Sequence, residues 1–171
     1  MKNWDATYVG WNWTNMKVPD FTIFKGKGVK GSLWYWDIPE SMSHEIYPFS
    51  SIFVEGSIVV FCTNSAPNIL KNKVVIGPEF PNNPGSVVCT VTSDDCLFYC
   101  ISKQSKTPFI SYSVDLNKGD AYTLNKGHLL FIAKGSLNSE SVTYACESYT
   151  IVDTDLELVA NDKVLGICIK L

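Results

Sequence analysis

Two histidines, His44 and His128, carry all the imidazole in this chain of 171 residues. The metal chemistry open to so small a set is a non-haem iron site, which needs two histidines and one carboxylate around one cation. Asp37, Glu40 or Glu45 could complete that set only if folding joined segments far apart in the chain. The simpler expectation is that His128 opens a strand and bonds a turn carbonyl, with no metal and no cofactor held. Nucleophilic catalysis has no local signature either: there is no Gly-x-Ser-x-Gly elbow, and no cysteine stands near either histidine in sequence, although folding can still bring such groups together.

Six cysteines lie at 62, 89, 96, 100, 146 and 168, in apolar strings such as "VVCTV", "LFYCIS" and "GICIK". Free thiols in such settings act as small hydrophobes. Cys96 and Cys100 are four apart rather than the three of a C-x-x-C pair, and no second pair follows, which argues against a zinc site. A turn at Asp94 and Asp95 would set Cys89 opposite Cys100, so one disulfide is conceivable. The run "KGKGVKG", residues 25 to 31, has spaced glycines and three lysines but lacks the Gly-Lys-Ser/Thr ending of a phosphate loop. It predicts a solvated hairpin loop.

The aromatic residues are the one unusual concentration. "WNW" and "WYW" place two indoles two residues apart, and on a strand such pairs share a face. Trp4, Tyr8, Trp11, Trp13, Trp34 and Trp36 are therefore candidates for a subunit interface, where Trp and Tyr are enriched. Core filling and a stacking platform for sugar rings are the alternatives.

Composition bounds what these residues can serve. Hydrophobic residues make up 46% and charged residues 18% of the chain, which fits one folded domain and excludes disorder. All 14 basic residues are lysine and the net charge is −3, so the clustered basic, arginine-bearing face of a nucleic-acid binder is missing. No apolar run approaches the length of a membrane helix, and "MKNWDATYVGWNW" lacks the apolar segment of a secretory signal.

The elements that must position these residues read as strands. From residue 86 onward, "SVVCTVT", "CLFYCIS", "PFISYSVDL", "DAYTL", "HLLFIA", "SVTYAC", "SYTIV", "LELVA" and "KVLGICIKL" alternate with turn residues, at the spacing of sandwiches and barrels. Asn117 to Gly119 and Asn125 to Gly127 predict tight turns in which glycine takes positive φ. Earlier come "DFTIFK", "SLWYWDI", "KVVIG" and "SIFVEGSIVVFC" with a turn at Glu55 and Gly56. "PESMSHEI" predicts one or two helical turns after Pro39. No proline follows Pro108, so the first half should be irregular and the second a regular meander. The expected fold is an all-β sandwich over 21–171 with an irregular, Trp-rich N-terminal arm over 1–20.

The segment "SVDLNKGDAYTLNKGHLLFIAKGSLNSE", followed by "LELVANDKVLGICI", resembles the second half of a cupin-like double-stranded β-helix. The resemblance implies a jelly roll. Metal-binding cupins carry a His-x-His pair, a downstream glutamate and a later histidine; His128 falls near the later one, but the pair is missing. The expected function is accordingly non-enzymatic: a structural subunit of a bacteriophage virion, as a capsid decoration or tail-associated protein. It would be located in the particle and bound to copies of itself, a trimer for instance, or to a neighbouring protein. The alternatives are a cupin-like enzyme or small-molecule binder with a degenerate site, and a glycan-binding adhesin module using its tryptophans.

Overall fold

A computed structural model describes residues 6–38, 49–62, 68–71, 74–75, 85–103, 105, 107 and 109–171. The described residues form β-strands and turns, with no helix among them. The helical turns expected over 39–46 lie outside the described residues. Among the described residues no helix is long and apolar enough to cross a membrane. The chain divides into two compact units, Met1–Pro108 and Phe109–Leu171, a different partition from the arm and single sandwich expected. The last proline closes the first unit.

The N-terminal unit holds β1 (Ala6–Val18), β2 (Phe21–Ile38), β3 (Phe49–Glu55), β4 (Ser57–Cys62), β5 (Asn68–Lys71), β6 (Val74–Val75), β7 (Gly85–Val91) and β8 (Asp95–Lys103). They form one sheet in the order β5-β4-β7-β2-β8-β3-β6, with β1 also paired to β2. This order follows from two long strands bent in the middle. β3 continues into β4 through Gly56, and β7 continues into β8 through 92–94. β2 therefore pairs with β7 over Leu33 to Ile38 and with β8 over Phe21 to Val29.

The bends coincide. Gly10, Gly31 and Gly56 have φ of 81°, 88° and 85°, a region that costs glycine no Cβ clash. Ser32 joins two of these points: its Oγ accepts from Val29 N at 3.0 Å and donates to Gly10 O at 3.1 Å. Across the sheet, Lys30 N donates to Asp94 O at 3.1 Å, and Ser57 N donates to Ser93 Oγ at 2.9 Å. A sheet creased along this line folds one half over the other. On a straight β2, the positions of Gly26 and Trp34 would be about 26 Å apart at the usual rise per residue; yet Trp13, paired with Gly26, lies ring to ring with Trp34 at 6.0 Å.

Two expectations are corrected here. The stretch expected as an irregular arm is, from Ala6, a strand paired with β2 on both sides of a register shift between Val9 and Trp11. "KGKGVKG" is not a loop but the middle of β2. The cause is one pairing: Trp13 stands opposite Gly26 and Trp11 opposite Gly28. A Cβ built on Gly26 would come within 2.8 Å of Trp13 Cζ3, and one on Gly28 within 3.1 Å of Trp11 Cε3. The glycines leave room for indole rings to lie on the strand, and the rings supply the packing that glycine lacks.

The C-terminal unit has two four-stranded sheets. One runs β10 (Ala121–Leu124), β15 (Leu156–Ala160), β12 (Leu137–Asn138), β13 (Thr143–Tyr144); the other runs β14 (Tyr149–Ile151), β11 (His128–Lys134), β16 (Val164–Lys170), β9 (Ile110–Leu116). Both contribute to an aliphatic core that includes Leu124, Leu130, Ile132, Leu137 and Leu158. β11 and β16 are buried on both faces, which explains their continuous apolar runs. Gly119 and Gly127 have φ of 88° and 78°, as the two Asn-x-Gly turns require. The expected all-β jelly roll is the fold observed.

Candidate functional site

Of the residues expected to do chemistry, Trp4, His44, Glu40 and Glu45 lie outside the described residues. Trp36 and Asp37 are placed on β2, opposite Val87 and Ser86 of β7. Tyr8, Trp11, Trp13 and Trp34 come together. Tyr8 and Trp34 are cross-strand partners on one side of the crease, while Trp11, Trp13 and Phe98 belong to the other. Tyr8 meets Trp13 edge-on at 5.2 Å and lies tilted against Trp34 at 5.5 Å. Trp11 stacks on Trp13 at 5.4 Å, and Phe98 lies edge-on to both Trp13 and Trp34 at 6.0 and 5.8 Å. These are the separations that aromatic quadrupoles favour. The side chains offered as an interface thus pack on one another within their own unit.

Their polar atoms are unevenly served. The indole Nε1 of Trp11 and of Trp13 is buried and has no hydrogen-bond acceptor. The Tyr8 phenol is held well above its usual range, first by burial and then by the nearby Cys100 and Cys89 thiols. It is therefore a neutral donor in a site that is rich in rings and donors. Cys89 and Cys100 are both thiols. The disulfide considered between them is corrected by topology: β2 runs between β7 and β8, with Cys89 opposite Trp34 and Cys100 opposite Phe24.

A groove of about 470 Å3 lies on the other face of the same strands. Its row Asn12, Lys27, Leu97, Glu55 is a set of cross-strand neighbours over β1, β2, β8 and β3. Strand alternation puts these side chains opposite the face that carries Trp11 and Trp13. Gly28 lines the groove and bears Trp11 on its far side.

His128 occupies a different setting in the C-terminal unit. Its backbone N–H donates to the Asn125 carbonyl at 3.1 Å, as a strand-opening residue does. Its ring, expected on a turn carbonyl, instead has Nδ1 3.6 Å from Cys168 Sγ and lies parallel to Tyr112 with centroids 6.4 Å apart. Folding has brought a cysteine to the histidine across 40 residues. Sequence reasoning missed Cys168 because strand register, not spacing, pairs them. Among the described residues no three of His, Cys, Asp and Glu gather as a metal site would require.

No family model matches the chain, and no curated protein matches it. Solved structures do. A conserved protein of unknown function from Pseudomonas aeruginosa PAO1 superposes with a TM-score of 0.62 at 8% identity, over 97% of this chain and 93% of that one. HutD from Pseudomonas fluorescens SBW25 gives 0.61 at 8%, over 98% and 95%. A cupin 2 conserved barrel domain protein from Leptotrichia buccalis gives 0.57 at 8%, over 96% and 90%. These neighbours overturn the expectation of a bacteriophage structural subunit, because the jelly roll is of the cupin kind, and nothing among them supports a virion location. At this identity the likeness is one of fold, and the fold is that of the cupin-like barrels.

Proposed function

We propose that this protein binds a small molecule at the ring cluster of its N-terminal unit, with Tyr8, Trp11, Trp13 and Trp34 as the contact residues. The carrying observation is the pair of buried indole N–H groups on Trp11 and Trp13 without an acceptor. Each such donor costs about 1–3 kcal/mol when left unsatisfied, and a buried orphan in a native fold calls for an explanation. A planar, mainly apolar ligand bearing a carbonyl or carboxylate oxygen would stack on the rings and accept from them. The described cluster holds donors and no carboxylate or imidazole, so it supports binding and not turnover. The cupin-like fold supports the same reading, since ligand sites commonly lie within such barrels.

The test is a titration of the full chain with a panel of small aromatic acids and ketones, followed by tryptophan fluorescence and by thermal stability. A ligand at a hundred times its Kd should raise stability by about 2.7 kcal/mol. Trp13→Phe should fold, because it removes a donor that has no partner, and should weaken binding about tenfold or more, as loss of a hydrogen bond to a polar ligand group does. Wild-type affinity in both Trp11→Phe and Trp13→Phe would move the ligand elsewhere and overturn the reading, as would no response to any compound.

A further inference from the structure

The end of the C-terminal core holds two polar side chains around one sulfur. Cys168 on β16 is the cross-strand partner of Leu130 on β11 and of Tyr112 on β9. Its side chain joins the aliphatic core and is 2% exposed. His128 sits two positions before Leu130 on the same face, which brings Nδ1 to 3.6 Å from Sγ. Tyr122 of β10, from the opposite sheet, brings its hydroxyl toward the same sulfur. A cysteine that merely fills a core needs no polar partners. This one has two, and both are half-buried, so the cluster lies where the core meets solvent.

We propose that Cys168 is a nucleophilic thiol, with His128 as its base and Tyr122 as a donor to the sulfur, that adds to small uncharged carbon electrophiles of the α,β-unsaturated carbonyl class. Burial raises the Cys168 thiol above its ordinary range, and the Tyr122 hydroxyl offsets this in part. The resting group is therefore the thiol, and its proton must leave during attack, as in a base-assisted cysteine. The Sγ–H proton passes to His128 Nδ1 while the S–C bond forms at the β-carbon. The π pair of the C=C bond moves to the α-carbon, which then takes the proton back from the imidazolium. The sum is addition of S–H across the double bond, with no oxidant or reductant. The aliphatic surroundings disfavour a charged electrophile, and the Tyr122 hydroxyl is a donor for the carbonyl oxygen.

The experiment is timed labelling of the folded full chain with acrylamide, each cysteine followed by peptide mass spectrometry. Cys96 is the internal reference: it is a thiol, 3% exposed, and burial pushes its pKa up to about 11. Cys146, an exposed thiol, marks the rate of an accessible one. Cys168 should label about tenfold or more faster than Cys96 in the same sample. His128→Gln should lower that rate about tenfold or more, with circular dichroism unchanged. Tyr122→Phe should lower it less and decides the matter if His128→Gln does not fold. Equal rates for Cys168 and Cys96 in the unaltered chain overturn the proposal, as does a wild-type rate in folded His128→Gln, or in Tyr122→Phe should that variant have to decide. None of these outcomes bears on ligand binding at the tryptophans.

Discussion

The two units solve the problem of burying a sheet face in opposite ways. The C-terminal unit fills its core with Leu, Ile and Val and ties its turns by carboxylates: Asp120 accepts from Asn117 N at 2.8 Å, Asp155 from Lys126 N at 2.8 Å and Asp162 from Ser136 N at 2.9 Å. Its backbone donors at these bends are answered. The N-terminal unit lays indole rings on glycines, surrounds them with thiols and a phenol, and leaves two indole donors unanswered. An aliphatic core with satisfied turns is built for stability. A ring-lined interior with idle donors gives up some of that stability, and in the function proposed above those donors are kept for a ligand.

The comparison breaks most visibly at Leu130, which is 1% exposed in the aliphatic core. Leu130→Ala should cost about 2–5 kcal/mol, as a methyl-lined cavity in a close-packed core does. Chemical denaturation followed by circular dichroism measures it. A loss near zero would mean that the C-terminal unit is not the close-packed partner in the contrast.

Gly26 tests the other side. A β-carbon there would press on the Trp13 ring at 2.8 Å, and the ring is held by Tyr8, Trp11, Trp34 and Phe98. Gly26→Ala should destabilise by about 1–3 kcal/mol, in the range of overpacked cores, and should shift the tryptophan emission. Ordinary strand propensity predicts the reverse, since alanine normally improves on glycine inside an element. The sign of the change therefore decides whether the rings own that space.

Legibility in the sequence follows the same division. The C-terminal strands and the turns at Gly119 and Gly127 can be read locally, because turn chemistry and apolar runs depend on neighbours in sequence. β2 cannot, since glycine and lysine at 25–31 oppose a strand when taken alone. Only pairing with β1 reverses that preference, and one signal is present: "WNW" and "GKG" share the same two-residue spacing, so ring and glycine can match across a hairpin turned at Pro19 and Asp20. The partition after Pro108 is visible as the point where prolines cease. The pairing of His128 with Cys168 is not visible, because a slip of one residue in the register of β11 and β16 would send the two side chains to opposite faces.

The smallest expected effect comes from alkaline pH, and it sharpens the contrast by reporting on one unit alone. All five tryptophans lie within the first 36 residues, so their emission follows the N-terminal unit. Burial raises the Cys96 thiol from 9.0 to about 11 and raises the Tyr8 phenol as well. A group whose pKa is higher in the folded chain binds more protons there than in the unfolded chain. Its contribution is therefore fully present below the ordinary thiol value and is lost as pH climbs from 9.0 toward 11. Thermal unfolding followed by tryptophan emission should move to lower temperature across that window, by an amount equivalent to about 1 kcal/mol or less for the single thiol. Cys96→Ala should reduce the slope between those two values and leave the fall that Tyr8 drives, which begins as pH passes 10.0. A slope that is the same in Cys96→Ala would show that this thiol gains protons equally in both states, and that the N-terminal interior is wetter than its ring packing implies.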